Sequence, residues 1–340
     1  YFAGLQYSVT EDLTAEISSL GSYGHKLITT DLINRPLSIP ASAAGPDNFV
    51  RYYNPALREI SYRANQGFSR YNALAATARY RGRRMLGQVS YTYGRTIDNQ
   101  SEPLAGDFFD LSFTRIAGAG RAARAAFARQ FDSSFDRGPS DFDQRHNLMF
   151  FSLWEIPSPG GESRWRWLAT GWKFSQLAAV RSGFPFSVTA PAIFDFAGQS
   201  YTVNYANVVQ PGSVYISQPV AGGRRILNPS AFAVPPRLEI GTSGRNGFRG
   251  PGLYNLDLSF SKTTPIRWLG ESVRLVVRAD AFNVLNHVNL ANPDAAFNPD
   301  DLENFGVALF GRRGRDTGFP AVAPLNETAR QVQILLRIEF

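Results

Sequence analysis

The sequence predicts an all-β fold of about nine long antiparallel strands. Three observations predict it: apolar and polar residues alternate in several segments, aromatic residues reach 13%, and the 340 residues include 30 Gly and 21 Pro. A two-residue period places successive side chains on opposite faces of a strand, and this composition favours strands and turns. The predicted strands lie at about residues 2–9, 12–20, 70–81, 84–97, 144–155, 167–182, 252–262, 271–284 and 329–340.

The last strand, in QVQILLRIEF, separates apolar and polar residues into two rows. The apolar row consists of Val332, Ile334, Leu336, Ile338 and Phe340. The polar row, interrupted only by Leu335, consists of Gln331, Gln333, Arg337 and Glu339. In the strand at 271–284, one row likewise holds Arg274, Arg278 and Asp280. Because an Arg facing lipid costs roughly 2 to 4 kcal/mol at the midplane, we expect the apolar row to face lipid and the polar rows to face the lumen. Most of the charged members are expected to pair across these two neighbouring strands.

The connections between the predicted strands alternate between short and long. The short ones are at 10–12, 81–83, 157–163 and 263–270, and the long ones are at about 21–69, 98–143, 183–251 and 285–328. A compact soluble domain rarely has several structureless loops of this length, whereas outer-membrane barrels have short periplasmic turns and long external loops. The sequence also has no run of roughly 18 to 20 apolar residues, which excludes membrane-spanning helices. The fold class predicted is therefore an antiparallel transmembrane β-barrel segment in the outer membrane of a Gram-negative-type envelope.

The five tryptophans lie in or near two of the short connections. They are Trp154, Trp165, Trp167, Trp172 and Trp268. Trp and Tyr prefer the boundaries between water and lipid, so this placement predicts a periplasmic aromatic girdle. The alternative is that they are ordinary core aromatics of a β-sandwich, which would explain burial but not clustering at strand ends.

Charge and motif content exclude several classes of function. The net charge is +7, but there is no basic run or binding motif, so no nucleic-acid partner is expected. The three His are isolated and no nucleophile or nucleotide motif occurs, so we expect no enzyme activity and no cofactor. Asp141 to Asp143 and the pair Asp300-Asp301 could hold calcium, although solvated turn carboxylates are the simpler expectation. The absence of Cys fits maturation outside the reducing cytoplasm, and chance explains it equally well.

An alanine-rich stretch at 114–131 predicts a short helix inside an external loop. Its basic residues are Arg121, Arg124 and Arg129. Guanidinium groups match carboxylates and phosphates, so these arginines are candidate contacts for an acidic ligand or lipopolysaccharide. The alternative, which we favour, is a solvated helical insertion.

Five further stretches resemble the C-terminal barrel of TonB-dependent outer-membrane transporters of the Oar-like kind. They are RYNALAATARYRGRRMLGQVSYTYGRTIDN, DFDQRHNLMFF, GWKFSQLAAVRSGFPFSV, GRNGFRGPGLYNLDLSFSK and RADAFNVLNHVNLANP. The resemblance implies a barrel of about 22 strands, filled by an N-terminal plug and coupled to TonB for uptake of a large solute. It also implies contact with outer-membrane lipid, with lipopolysaccharide and, through the terminal strand, with the barrel assembly machinery. Since nine strands are too few, residues 1–340 are expected to be the C-terminal portion of one barrel domain, without its plug and first strands.

A second function remains open at this point: a secreted or surface-exposed all-β binding protein, such as an adhesin-like sandwich. In such a protein the apolar rows would turn toward one another across a dry core. The sequence does not indicate the solute, the oligomeric state or the exact strand boundaries.

Overall fold

The computed structural model describes residues 1–37, 51–57, 60–103, 126–158, 166–190, 195–196, 199–200, 204–236, 239–266, 268, 270, 272–310 and 329–340. In these ranges nearly all of the regular secondary structure is β-strand. Helix is limited there to α1, Arg166–Ala169, and to the 3₁₀ turns Pro211–Ser213 and Pro229–Ala231. No helix in the described ranges is long and apolar enough to span a membrane.

Nine long strands form one antiparallel sheet, which we call the wall. They are β1 Phe2–Ser8, β2 Leu13–Ile33, β3 Ile60–Arg81, β4 Met85–Asp98, β5 His146–Glu155, β6 Trp172–Arg181, β7 Leu253–Pro265, β8 Arg274–Phe282 and β9 Gln331–Glu339. Each strand pairs with its neighbours in sequence, and the short strand Gly138–Pro139 also pairs with β4. Short and long connections alternate along the sheet. The predicted all-β fold, with nine long antiparallel strands, is confirmed.

Two strands are far longer than predicted, because β2 continues to Ile33 and β3 begins at Ile60. The first long loop is correspondingly shorter than the predicted 21–69. The pairing of β2 and β3 shifts register between His25 and Leu27 and again between Leu27 and Thr29. Such β-bulges break the two-residue alternation, so the sequence pattern does not extend through the upper part of the strand. Lys26, in the first bulge, has a positive φ of 52°.

The strand predicted at 167–182 begins later than expected. Its first residues form α1, and the chain then turns at Gly171, where φ is 77°. A Cβ atom at Gly171 would lie 2.2 Å from the carbonyl oxygen of Thr263, so only glycine fits this turn beside β7. The strand β6 therefore starts at Trp172.

The register keeps each row of side chains on one face of the wall. Leu275 lies opposite Ile338, and Val277 lies opposite Leu336, whereas Asp280 and Gln333 pair on the other face. The apolar row of β9 is open to the surroundings: Ile334 is 75% exposed and Leu336 70%. In the described part of the chain, no second sheet covers this row, so the arrangement is not that of a closed sandwich.

The long connections carry the remaining strands. A three-stranded sheet joins Tyr215–Val220, Gly223–Leu227 and Val307–Leu309. Two-stranded pairs join Pro185–Phe186 with Phe248–Arg249, Thr189–Ala190 with Asn204–Tyr205, Asp195–Phe196 with Gln199–Ser200, Asn207–Val208 with Phe232–Ala233, and Pro36–Leu37 with Arg51–Tyr52.

The described parts of 183–252 and 283–310 pack into one folded unit, which we call the loop cap. Its core consists of Phe186, Val188, Ala206, Val214, Leu227, Ala231, Phe232, Phe297 and Phe305. The rings of Phe232 and Phe305 meet edge to face at 5.5 Å, and Phe297 and Phe305 meet at 5.1 Å. The main hydrophobic core of the described chain thus lies in the long loops, since the wall strands expose much of their apolar surface.

Candidate functional site at the long-loop end of the wall

Buried ion pairs join the loop cap to the connection between β4 and β5. Arg245 Nη1 lies 2.6 Å from Asp98 Oδ1, and Arg245 Nη2 lies 3.2 Å from Asp141 Oδ1. The guanidinium of Arg249 binds the carboxylate of Asp143. We call these five residues the rim latch.

Local backbone structure presents each member of the rim latch. Asp98 is the last residue of β4, and the turn after Gly138–Pro139 carries Asp141 and Asp143. Arg245 lies in an Asn-Gly turn whose Asn246 adopts a positive φ of 52°. Asn residues tolerate this conformation, and the side chain of Asn246 then donates hydrogen bonds to Asp141 Oδ1 and to the carbonyl oxygen of Pro139.

Three of the five rim-latch residues are shielded from water, whereas Asp141 and Arg249 are partly exposed. The side chain of Asp143 is fully buried, while those of Asp98 and Arg245 are 7% and 12% exposed. Burial alone would lower the pKa of Arg245, but Asp141 and Asp98 raise it above its ordinary value, so the guanidinium stays charged. Asp143 also accepts a hydrogen bond from the backbone N–H of Thr96 at 2.6 Å. A buried charge network satisfied in this way fixes one relative position of the two loops.

A second buried contact connects the same loops through Asp136 and Tyr205. The Tyr205 hydroxyl donates to Asp136 Oδ1 at 2.5 Å, and the backbone N–H of Ala128 donates to Asp136 Oδ2 at 2.6 Å. Burial raises the pKa of Asp136 although both hydrogen bonds oppose that change. Burial, with the neighbouring carboxylate of Asp136, also raises the pKa of Tyr205.

The upper end of β2 joins this assembly through Arg35. Its Nη2 atom lies 2.6 Å from Asp31 Oδ1, and its guanidinium also donates to the carbonyl oxygens of Phe127 and Ala128. Burial lowers the pKa of Arg35, and Asp31 partly offsets the change. Three long connections are therefore held together by buried polar groups.

The chain leaves β6 and returns to β7 through a close backbone approach. A Cβ atom at Gly183 would lie 1.9 Å from the carbonyl oxygen of Gly250, and one at Gly250 would lie 1.9 Å from Asn292 Oδ1. The N–H of Gly250 donates to the carbonyl oxygen of Phe184 at 2.9 Å. Glycine is required at position 183 because a side chain would meet facing backbone, whereas at position 250 a Cβ atom would displace the side chain of Asn292.

The polar rows of β8 and β9 lie on one face of the wall, but their ion pairs differ from the expected ones. Arg278 pairs with Asp280 at 2.7 Å and Arg337 with Glu339 at 3.4 Å, both within a single strand. Across the strands Arg278 lies opposite Leu335. Same-face neighbours two residues apart are within reach of these long side chains, so the register does not force cross-strand pairs. Arg274 lies opposite Glu339, and Gln331 opposite Phe282.

The apolar row is placed on the other face of the wall. Its members are widely exposed: Val332 66%, Ile334 75%, Leu336 70%, Ile338 48% and Phe340 89%. The lumenal and lipid assignments of the two rows stay predictions, although the structure separates the rows as the alternation requires.

Four of the five tryptophans lie at the short-turn end of the wall. Trp154 is near the end of β5, Trp172 begins β6, Trp167 lies in α1 and Trp268 is 84% exposed. Trp165 lies outside the described residues. Lys262 lies at the end of the otherwise apolar row of β7. Its Nζ atom donates hydrogen bonds to the carbonyl oxygens of Trp167, Leu168 and Thr170, so its charged group has hydrogen-bond partners there. The girdle remains a prediction.

The predicted arginine contacts are only partly described. Arg121 and Arg124 lie outside the described residues. Arg129 lies 4.0 Å from Asp132 and stacks 3.9 Å over the ring of Phe135. Residues 126–131 form bends and turns, so the predicted helix is wrong for this part of the stretch. The side chain of Arg129 is engaged within its own loop.

The carboxylates considered for calcium have different roles. Asp141 and Asp143 pair with arginine in the rim latch, so the expectation of solvated turn carboxylates is wrong for Asp143. Asp300 and Asp301 lie in an exposed turn bounded by Asn298. In the part of the chain that the structure describes, no cluster of His, Cys, Asp or Glu has the arrangement of a metal site.

The rim latch itself was not predicted from the sequence. The partners are far apart: 147 residues separate Asp98 from Arg245, and 106 separate Asp143 from Arg249. The available signal was that DFDQRHN and GRNGFRG both carry charges beside turn residues, and both belong to stretches used for the family resemblance.

Comparison with known proteins gives one family match. A family model described as outer membrane beta barrel domain matches residues 1–333. The solved structure of the outer membrane transporter YddB from Escherichia coli is similar over 99% of this chain, with 11% identity and a TM-score of 0.45. The chain spans 31% of that transporter. No curated protein matches the sequence significantly.

Proposed function

The chain belongs to the outer membrane beta barrel domain family and is located in the outer membrane, and from this premise we propose that it forms wall and external loops of a TonB-dependent transporter of the Oar-like kind. The activity is energy-coupled uptake of a large solute. The loop cap captures the solute, and the polar rows of the wall face its path.

The observation that carries this proposal is the loop cap. Its long loops have their own hydrophobic core and are fixed to a neighbouring loop by the rim latch. A binding surface held in one conformation loses less entropy when a ligand binds, so rigid loops favour selective capture. Loops that only bordered an open pore would not need this buried charge network.

Several stretches that resemble Oar-like transporters meet at one place, which supports the finer assignment. Arg245 and Arg249, from GRNGFRG, bind Asp141 and Asp143, from DFDQRHN. Gly183, from SGFPF, packs on Gly250. A shared arrangement of the external rim is a physical reason for these separated stretches to occur together.

The proposed partners follow from this function. They are an N-terminal plug of the same full-length chain, TonB, the barrel assembly machinery, outer-membrane lipid and lipopolysaccharide. No bond is made or broken in capture and passage, so the proposal includes no catalytic residue and no cofactor. Selectivity then depends on the shape and polar lining of the loop cap.

The test separates surface binding from uptake in cells carrying the full-length gene. A deletion strain and its complemented counterpart are supplied with labelled candidate solutes, with and without an uncoupler of the inner-membrane proton gradient. We expect the complemented strain to bind one solute class under both conditions and to import it only while the gradient exists. Binding without gradient-dependent import would refute the transporter and support the adhesin-like alternative. Import that continues after the gradient collapses would exclude TonB coupling.

A further inference from the structure

A cleft of about 520 Å³ lies on the apolar face of the wall, near the long-loop end. Arginines from three segments line it: Arg70 from β3, Arg95 from β4, and Arg137 from the following loop. Tyr23 and His25 of β2 complete one side, and their rings meet at 4.0 Å. The described residues that line this cleft include no carboxylate.

The cleft continues the apolar face of the wall. On β3, Arg70 lies on the same face as Leu74, four residues away, and on β4 Arg95 lies on the same face as Tyr93. Leu74 and Tyr93 are 49% and 45% exposed, so the apolar row of both strands is open up to the edge of the cleft. From Met85 to Tyr93 the row runs over nine residues, about the length of a membrane-spanning strand. The arginines therefore lie where the wall leaves the lipid.

Among the described residues, the three guanidinium groups have no acidic partner. All three residues are exposed, and no ion pair in the described part of the chain includes them. The guanidinium carbon of Arg137 lies 5.5 Å from the centre of the Phe68 ring, which positions it over the cleft. Beside His25, the bulge at Lys26 adds another exposed cation. Converging, unneutralised positive charge is the signature of an anion site.

We propose that this cleft binds the phosphate groups of lipopolysaccharide in the outer leaflet. Arginine forks match phosphate oxygens in pairs. The apolar row that begins at Leu74 and Tyr93 would lie against the acyl chains of the same molecule, a contact that a free phosphate ion could not make. This site uses other arginines than Arg121, Arg124 and Arg129.

The experiment uses the purified full-length protein in detergent and measures binding of bisphosphorylated lipid A and of its dephosphorylated form by native mass spectrometry. The test variant is Arg70→Gln, Arg95→Gln and Arg137→Gln combined, which keeps polar side chains but removes three charges. The control variant carries Arg81→Gln, Arg83→Gln and Arg84→Gln, three exposed arginines at a short turn.

We expect the wild type and the control variant to prefer the bisphosphorylated form, and the test variant to bind it about 1,000-fold more weakly, because each of the three lost charged hydrogen bonds weakens binding by about tenfold. Equal binding by test and wild-type proteins, or an equal loss in the control, would overturn the site. Equally tight binding of phosphatidylglycerol would overturn the specificity for lipopolysaccharide.

Folding of each variant is checked by heat-modifiable gel mobility. Should the triple variant fail to fold, Arg137→Gln alone lies outside the nine wall strands and is expected to weaken binding of bisphosphorylated lipid A about tenfold. Unchanged binding in this folded single variant would refute the proposal. The inference depends on the outer-membrane location and not on transport.

Discussion

The rim latch predicts a large and local effect of Arg245→Gln. The Arg245 guanidinium is 12% exposed and pairs with Asp98, which is 7% exposed. After the substitution, the carboxylate of Asp98 stays buried with Ser101 as its remaining side-chain donor at 2.7 Å. Removing one partner of a buried ion pair costs about 3 kcal/mol or more, because the other charge is left uncompensated. We expect the joined loops to open more easily by about that free energy.

Hydrogen–deuterium exchange of the full-length protein measures this opening directly. Amides of 138–145 and 241–250 should exchange about 100-fold faster in Arg245→Gln, since 1.4 kcal/mol corresponds to a factor of ten. Amides of β8 should be unchanged. The matched control is Arg224→Gln, an exposed arginine of the loop cap. Combining Arg245→Gln with Asp98→Asn should recover part of the loss, because the unpaired charge is gone. Unchanged exchange at both loop segments, or fully additive effects of the two substitutions, would refute the buried ion pair as the cause.

Three further predictions test other contacts. Gly183→Ala should destabilise the loop cap by about 1 to 3 kcal/mol in protease-sensitivity assays, because its Cβ atom would meet facing backbone. Gly212→Ala, whose Cβ atom would have nothing within 4 Å, should be neutral, and equal effects of the two substitutions would contradict the close approach. Tyr205→Phe removes a hydrogen bond to the Asp136 carboxylate, so the pKa of Asp136 should rise further. The substitution should destabilise the protein by about 1 to 3 kcal/mol when Asp136 is ionised, and by less at low pH, where the carboxyl is protonated. A pH-independent effect would refute the contact. In denaturant titrations in bilayers, Ile334→Arg should destabilise the barrel by about 2 to 4 kcal/mol, while Gln333→Arg, in the polar row, should have little effect. The reverse order would place lipid on the other face.

The two-residue period of the sequence correctly predicted the wall, and its failures have local causes. The terminal strand was predicted at 329–340 and is found at Gln331–Glu339. The agreement is close because no bulge interrupts the alternation of its two rows. The predicted β2 ended at residue 20 because residues 21–25, GSYGH, show little apolar alternation, and the bulges around Lys26 then shift the parity of the rest of the strand. The helix α1 was missed because four residues are too few to show a helical period.

The candidate site could be predicted less well than the wall. Alternation in the sequence indicates which face a side chain occupies, but it does not indicate which distant residue the side chain contacts. Asp141 and Asp143 were expected to be solvated, yet arginines about a hundred residues later pair with both, and Asp143 is fully buried. The basic cleft was also unseen, because Arg70, Arg95 and Arg137 become neighbours only when the strands pair.

By itself, the sequence determined the strand order, the two faces of the wall and the alternation of short and long connections, because a pleated backbone converts odd and even positions directly into faces. Tertiary structure alone decided that the long loops fold into a cap, that the rim latch holds them and that three arginines converge on the apolar face of the wall. Those features depend on charges and rings brought together over long separations, where close packing and the removal of water select the partners.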